Sequence, residues 1–452
     1  MPCQQLSHAM GIPMGAASAE LRRPIATIFI IVVNVAIYIL TTYKNSFVSI
    51  NSDVLWNYGY IPAYLLTDQG IMRIFTSMFL HADPLHIFFN MYFLYIFGKG
   101  VEGVLGVPRF LALYITSGVL AAFLHTVSVG FQGASALSIP AVGASGAISG
   151  VLGAYLMLYP ATPLAMCLFL PFPICGTFRA STFLLFWFAV QVLYGYLRLG
   201  GVAFFAHAGG FIAGVALSWL LGRDIVARLK HPFSYTLSIF TEMGEGLGRG
   251  AKVVMVIAIL SLMGVSLYSY YSGTSIDRSQ LIYAISVNIG SSPNEPPYSS
   301  SMATLLVTRG SSDFSMSPIV DDASRILVNR LLASNILINT ESRGSTEDIR
   351  RSLTVTILNV PVPFSISARA SYDNNGVMIY GYGSAVTRSV VCGVTCTLGD
   401  VIQYPWFEIR SVGPMSITNL ITIPLLISML FLLLSLYVAV AKDKEISLST
   451  YL

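Results

Sequence analysis

Residues 143–154 read Gly143-Ala144-Ser145-Gly146-Ala147-Ile148-Ser149-Gly150-Val151-Leu152-Gly153-Ala154. Gly146, Gly150 and Ala154 recur every fourth position, so one face of a helix here carries almost no side chain. A bare face of this kind lets a second helix approach closely, and a matching one exists at Gly210 and Gly214. Outward from this stretch, no Asp, Glu, Lys or Arg occurs between Phe110 and Phe178. Small-residue helix faces inside so long an uncharged run belong to membrane-spanning segments.

The whole chain agrees. Its 452 residues are 55% hydrophobic and only 10% charged, with a formal net charge of +4. A soluble chain carries about 25% charged residues, which argues against a globular cytosolic enzyme. Disorder is excluded, because it needs low hydrophobicity and high charge. No basic cluster with interleaved aromatics points to nucleic acid. Five cysteines make no disulfide scaffold in a chain of this length.

Eight spans are expected. They are Pro24–Tyr43, His86–Gly98, two within Phe110–Phe178, Ala180–Leu197, Leu199–Leu221, Val253–Gly273 and Ile417–Ala441. Polar segments at Gly130–Gly143 and Tyr159–Pro163 separate the pair in the uncharged run. Lys and Arg concentrate on one side if the N-terminus is inside, which predicts a multi-pass cell-membrane protein with both termini cytoplasmic. The first 23 residues do not read as a signal peptide, since the apolar run comes late and lacks a small-residue cleavage site.

Composition changes at Gly273. Between Ile276 and Met415 there are 11 acidic residues and 10 arginines, enough polarity for a folded domain in water. Alternating runs at Leu281–Asn288, Leu353–Leu358, Phe364–Ala370 and Val377–Tyr382 predict strands, with Asn374-Asn375-Gly376 as a hairpin turn. A helix is predicted over about Val320–Ala333, with Asp321 and Asp322 at its positive end. Cys392 and Cys396 are close enough in sequence for a disulfide on the oxidising side, while Cys167 and Cys175 read as buried thiols. The expected organisation is a cytoplasmic segment at 1–23, a six-helix domain at 24–222 and a cytoplasmic connector at 223–250. A seventh helix at 251–273, an extracytoplasmic α+β domain at 274–416, an eighth helix at 417–441 and a tail at 442–452 follow.

Polar or reactive groups at membrane helices are costly and are therefore functional candidates. Ser145, flanked by Gly143 and Gly146, opens the fourth span, where unpaired backbone N–H groups can hold an oxyanion. The plainer reading is an N-cap serine. His207 lies one turn before the small-residue face at Gly210 and Gly214, so its imidazole can come near the serine; alternatively it is a structural hydrogen-bonding residue. His86 and Asn90, four residues apart, share a helix face and can donate to an oxyanion, or can tie loop to helix. His81 and His125 read as structural or interfacial.

In combination, Thr76-Ser77-Met78-Phe79-Leu80-His81-Ala82, His86-x-x-x-Asn90, Gly143-x-Ser145-Gly146 and Ala206-His207-x-Gly209-Gly210-x-x-x-Gly214 resemble the rhomboid intramembrane serine proteases. The resemblance covers about Pro24 to Leu221 and implies an all-α polytopic membrane protein with a rhomboid-like six-helix core. It implies Ser145 as nucleophile, His207 as general base, and His86, Asn90 and the Ser145 N–H as oxyanion donors. Gly143, Gly146, Gly150, Gly210 and Gly214 support the helix packing. The partners implied are single-span membrane proteins and the bilayer; no cofactor and no metal is suggested, and oligomeric state is not legible. The loop Lys44–Phe75 is expected beside the active site. Two departures stand out. Met72 precedes Arg73 where the family often has Trp, which weakens the expected anchoring of that loop. Ser149 stands where the family usually packs an aromatic on the histidine, leaving that task to another ring such as Phe204 or Phe205. The competing reading is a weak or inactive scaffold that binds membrane helices. A transporter is disfavoured, since no internal repeat and no carboxylate within a predicted span is found.

Overall fold

A computed structural model describes residues 12–16, 23–170, 172–199, 202–230, 244, 246–309, 313–317, 319, 321–392 and 396–448. Most of the 1–23 segment, much of the 223–250 connector, the end of the 442–452 tail and the side chains of Cys167 and Cys175 lie outside this set.

With no water in a hydrocarbon core, each spanning segment must satisfy its own backbone groups, and helices do so. Six helices of 14 residues or more occupy residues 25–229: α1 (Ile25–Thr42), α2 (Pro84–Leu105), α3 (Val107–Val127), α4 (Ser145–Leu158), α5 (Ala180–Tyr196) and α6 (Phe204–Leu229). Further along lie α7 (Arg249–Ser279), α8 (Asp322–Ala333) and α9 (Ile417–Tyr437). By length and composition, the stretches Ile25–Asn45, Val107–Gln132, Phe204–Leu229, Arg249–Ser279 and Ile417–Ile446 can cross a bilayer, while α4 and α5 are shorter apolar helices. This is a membrane protein with a β-rich portion.

The second helix differs from its expected extent. It begins at Pro84, where Asp83 caps it by accepting from the His86 N–H at 2.9 Å, and it continues to Leu105. The extra turns carry Glu102, a buried carboxylate where none was expected. Its oxygens accept from the N–H groups of Ala26 and Thr27, each at 2.8 Å, and from the Thr27 hydroxyl at 2.7 Å. Pro24, at the N-cap of α1, supplies no side-chain cap, so a carboxylate 75 residues away satisfies the orphan donors instead. A single residue, Gly106, separates α2 from α3; its φ of +73° is a conformation that suits glycine.

Another departure concerns the uncharged run after Tyr159. It forms a hairpin of β2 (Pro163–Leu170) and β3 (Phe172–Arg179), to which β1 (Ile12–Ala16) adds an antiparallel third strand. The small-residue faces pack as the spacing predicted. A Cβ added at Gly210 would lie 1.9 Å from the Gly146 carbonyl oxygen, and one at Gly214 would lie 1.8 Å from that of Gly150. Only glycine lets the α4 and α6 backbones approach so closely.

The helices beyond the first six are fastened to each other at both ends. Asp277, near the end of α7, accepts from Ile417 N (2.8 Å), Thr418 N (2.9 Å) and Ser416 Oγ (2.7 Å), capping α9. Asp443, just beyond α9, accepts from Leu247 N and from Lys252 Nζ, both at 2.8 Å, where α7 begins. The pair also docks on the first six: Ser435 Oγ donates to the Ile212 carbonyl at 2.6 Å, and Leu448 N to that of Leu158 at 2.7 Å.

Between α7 and α9 the chain forms β4 (Gln280–Gly290), β5 (Ser299–Thr308), β6 (Phe314–Met316), β7 (Thr346–Ile357), β8 (Val360–Tyr372), β9 (Met378–Cys392) and β10 (Cys396–Met415). They pair in the order β6-β5-β4-β10-β9-β8-β7, all antiparallel. The expected strands are present but longer, and β5, β6 and β10 were not foreseen. Asn374-Asn375-Gly376 makes the β8–β9 turn, with Gly376 at φ +83°. Asp321 caps α8 by accepting from Ser324 N at 2.7 Å, and Leu327, Val328 and Leu331 enter one core with Tyr283, Phe364 and Phe407. Cys392 and Cys396 are joined by a disulfide. The sheet rests on the helical part through Ile282, Ala284 and Met302, which pack with Ala134, Ala136 and Leu137.

Candidate active site

A cavity of about 660 Å³ opens among α2, α3, α4, α5 and α6. Its wall includes His86, Asn90, His125, Ser145, Gln191 and His207, together with Ser135 and Ala136 from the turn on which the β sheet rests. Pockets of about 300–1,000 Å³ with a few convergent polar groups are the usual form of a small-molecule or peptide site.

Ser145 is the first residue of α4. The N-cap position belongs to Ala144, so the capping alternative for Ser145 does not describe its side chain. Its hydroxyl lies instead 2.8 Å from His207 Nε2. As a first-turn residue it leaves its backbone N–H without an intrahelical acceptor. The preceding Gly143 has φ +125°, and its N–H donates to the Ser77 carbonyl at 2.9 Å, fixing the approach to the helix. A Cβ on Gly143 would stand 2.7 Å from His86 Nε2, so any side chain there would strike that ring.

Two contacts from α5 hold the imidazole of His207. Its Nδ1 is 2.8 Å from Gln191 Oε1, and the Trp187 indole stacks on it with ring centroids 6.1 Å apart and planes 28° apart. Neither residue was singled out from sequence, where Phe204 and Phe205 were named for the stacking role that Trp187 takes. The available signal was the spacing Trp187-x-x-x-Gln191, a four-residue interval that puts both side chains on one face of an apolar helix. Ser149, where an aromatic was expected, donates from Oγ to the Ser145 carbonyl at 2.6 Å.

His86 Nδ1 accepts from the Ala82 N–H at 3.3 Å, which leaves the proton of a neutral ring on Nε2, the nitrogen facing Gly143. Asn90 Nδ2 donates to the His86 carbonyl at 3.0 Å, and Asn90 also faces the cavity. The Ala82–His86 bond ties loop to helix, whereas the Asn90 bond lies within α2, and both residues line the cavity with Ser145. His81 is buried, its ring edge-on to His86 at 5.1 Å. His125 is buried against the cavity wall, not at an interface.

Despite Met72, the loop beside the site is anchored. Arg73 donates to the carbonyls of Trp56 (2.8 Å) and Gly59 (3.1 Å) and to Gln69 Oε1 (3.2 Å), and its guanidinium sits 4.6 Å over the Tyr64 ring. On the far side of α5, the Tyr196 hydroxyl donates to the Ser261 carbonyl at 2.7 Å and thereby joins α5 to α7.

Comparison with known proteins matches residues 68–224 to the family described as Rhomboid domain. "Rhomboid protein 1, mitochondrial" of Saccharomyces cerevisiae is 29% identical over 172 residues, 37% of this chain and 47% of that protein. "Presenilin-associated rhomboid-like protein A, mitochondrial" of Danio rerio is 34% identical over 161 residues, 34% of this chain and 39% of its own length. The human "Presenilin-associated rhomboid-like protein, mitochondrial" is 31% identical over 181 residues, 39% of this chain and 44% of that one. The matched stretch thus spans less than half the length of each of these relatives. A Rhomboid domain thus occupies residues 68–224, and the chain carries helices and a β domain beyond it.

Proposed function

We propose that this protein is an intramembrane serine endopeptidase. The observation that carries the reading is the 2.8 Å approach of Ser145 Oγ to His207 Nε2 in a cavity. His207 takes the hydroxyl proton as Oγ attacks a peptide carbonyl, then gives it to the leaving amine as the C–N bond breaks. An acyl ester on Ser145 remains. Water, activated by the same imidazole, attacks that ester and releases the new carboxyl end. His86 Nε2–H, an Asn90 Nδ2–H and the Ser145 N–H are the candidate donors to the developing oxyanion. Loss of one such donor costs roughly 10²–10³ in turnover in other enzymes.

Hydrolysis needs water, so the chemistry belongs at helix ends open to an aqueous face. Lys and Arg bias supports both termini on the cytoplasmic side, with the β domain and the cavity mouth on the opposite face. Single-span membrane proteins cut near that face are the proposed substrates. A scaffold that only held helices would have no use for a hydroxyl and an imidazole at this distance.

Cleavage of a single-span reporter protein in liposomes, with fluorophosphonate labelling as a second readout, tests the reading. Ser145→Ala and His207→Ala should each abolish cleavage, and Ser145→Ala should abolish labelling. Wild-type cleavage surviving in Ser145→Ala would refute it.

A further inference from the structure

Resting on the proteolytic reading, we propose that Gln191 is the positioning residue for His207, the third member of a Ser145–His207–Gln191 chain. The three groups form one relay, with 2.8 Å between Oγ and Nε2 and 2.8 Å between Nδ1 and Oε1. Gln191 is 8% exposed, so its amide is held by packing as well as by this bond.

The chemistry follows from how many protons a neutral imidazole carries. A general base toward Ser145 needs its lone pair on Nε2 and therefore its proton on Nδ1. The carbonyl end of Gln191, placed at Nδ1, accepts that proton's hydrogen bond and selects this tautomer. The opposite amide orientation would donate to Nδ1, move the proton to Nε2 and leave the ring unable to accept from the serine. Trp187, one turn earlier on α5, bounds the ring's face, so one helix sets both rotation and position of the imidazole. When Nε2 takes the serine proton, the Nδ1–H bond to Gln191 persists and becomes charge-assisted. A neutral amide does this without burying a carboxylate among apolar helices. The titratable and charged side chains around the site are His86 on α2, His125 on α3 and Arg198 after α5; no carboxylate lines the cavity among the described residues.

The test uses the full chain in liposomes with a single-span reporter, comparing wild type, Gln191→Leu and Gln191→Glu. Gln191→Leu should lower kcat by roughly 10–100-fold, the range found for partners that orient a ligating imidazole, with KM little changed. Gln191→Glu keeps an acceptor at Nδ1 and adds negative charge that favours the imidazolium. It should retain turnover at high pH and move the acid limb of kcat/KM upward by about one pH unit or more. Thermal unfolding of each variant separates misfolding from lost positioning, and Gln191→Glu carries the test if Gln191→Leu does not fold. A Gln191→Leu enzyme with wild-type kcat, or a Gln191→Glu profile superimposable on wild type, overturns the inference and leaves the proteolytic reading standing. A wild type without Ser145-dependent cleavage overturns both.

Discussion

Adding one methyl group at Gly210 or Gly214 should disarm the site without touching it. A Cβ at Gly214 would lie 1.8 Å from the Gly150 carbonyl oxygen, and one at Gly210 would lie 1.9 Å from that of Gly146. The obstructing atoms are helix backbone, which cannot swing aside as a side chain does. Reaching an ordinary contact of 3.4 Å from 1.8 Å requires α4 and α6 to separate by about 1.6 Å. His207 sits one turn before Gly210 and Ser145 one residue before Gly146, so that separation falls on the 2.8 Å bond between them and takes it out of hydrogen-bond range. A misplacement of about 1 Å can cost about 10² in rate, and overpacking costs about 1–3 kcal/mol. Gly210→Ala and Gly214→Ala should therefore lower reporter cleavage and fluorophosphonate labelling by at least about 100-fold. Gly264→Ala on α7 is the matched control, since nothing lies within 4 Å of a Cβ there; it should leave both rates unchanged. A folded Gly210→Ala protein with wild-type turnover would refute the argument that glycine contact sets the Ser145–His207 distance.

Glu102→Gln removes a carboxylate that accepts three hydrogen bonds at the start of α1; thermal or denaturant unfolding in detergent should show a loss of about 1.5–3 kcal/mol. Arg73→Ala frees the loop carbonyls of Trp56 and Gly59, and limited proteolysis within residues 44–75 should accelerate relative to wild type, with Arg73→Lys intermediate. In the β domain, burial pushes the Asp373 carboxyl up, but hydrogen bonds from Tyr283, Asn375 and the backbone of Val377 and Asn375 outweigh it and hold it below the usual carboxylate range. Its contribution to stability is therefore complete above the unfolded-state value of about 3.9 and is lost as pH falls through the lower folded value. Acid titration of the β domain's near-UV signal should show that loss, and Asp373→Asn should remove the dependence.

Much of this arrangement was legible in the sequence because membrane chemistry makes polar residues conspicuous. Ser145, His207, His86 and Asn90 stood out against uncharged helices, and the four-residue glycine spacing told which helices touch. Gln191 did not stand out. One uncharged amide on an apolar helix gives no sign of its partner, and only the fold reveals that it meets the imidazole. Glu102 was missed for a different reason: the apolar stretch was expected to stop at Gly98, and the last turns of α2 are held in helix by packing rather than by hydropathy. The β2–β3 hairpin is apolar and carries no charge before its last residue, Arg179, so composition cannot tell it from a span. In the β domain, β5 lacks clean alternation because both of its faces are covered, one of them by the turn at Ala134–Ser138.

The bond between Tyr196 and Ser261 has a practical consequence for anyone seeking a minimal catalytic piece. Trimming the chain after Lys230 would leave all of the residues that match the rhomboid family, yet it would strip α5 of the tyrosine's acceptor on its outer flank and uncover the carbonyls of Ile212 and Leu158. The amputated part is thus a brace for the helix carrying Trp187 and Gln191, and a shortened protein would carry its imidazole on a looser mount.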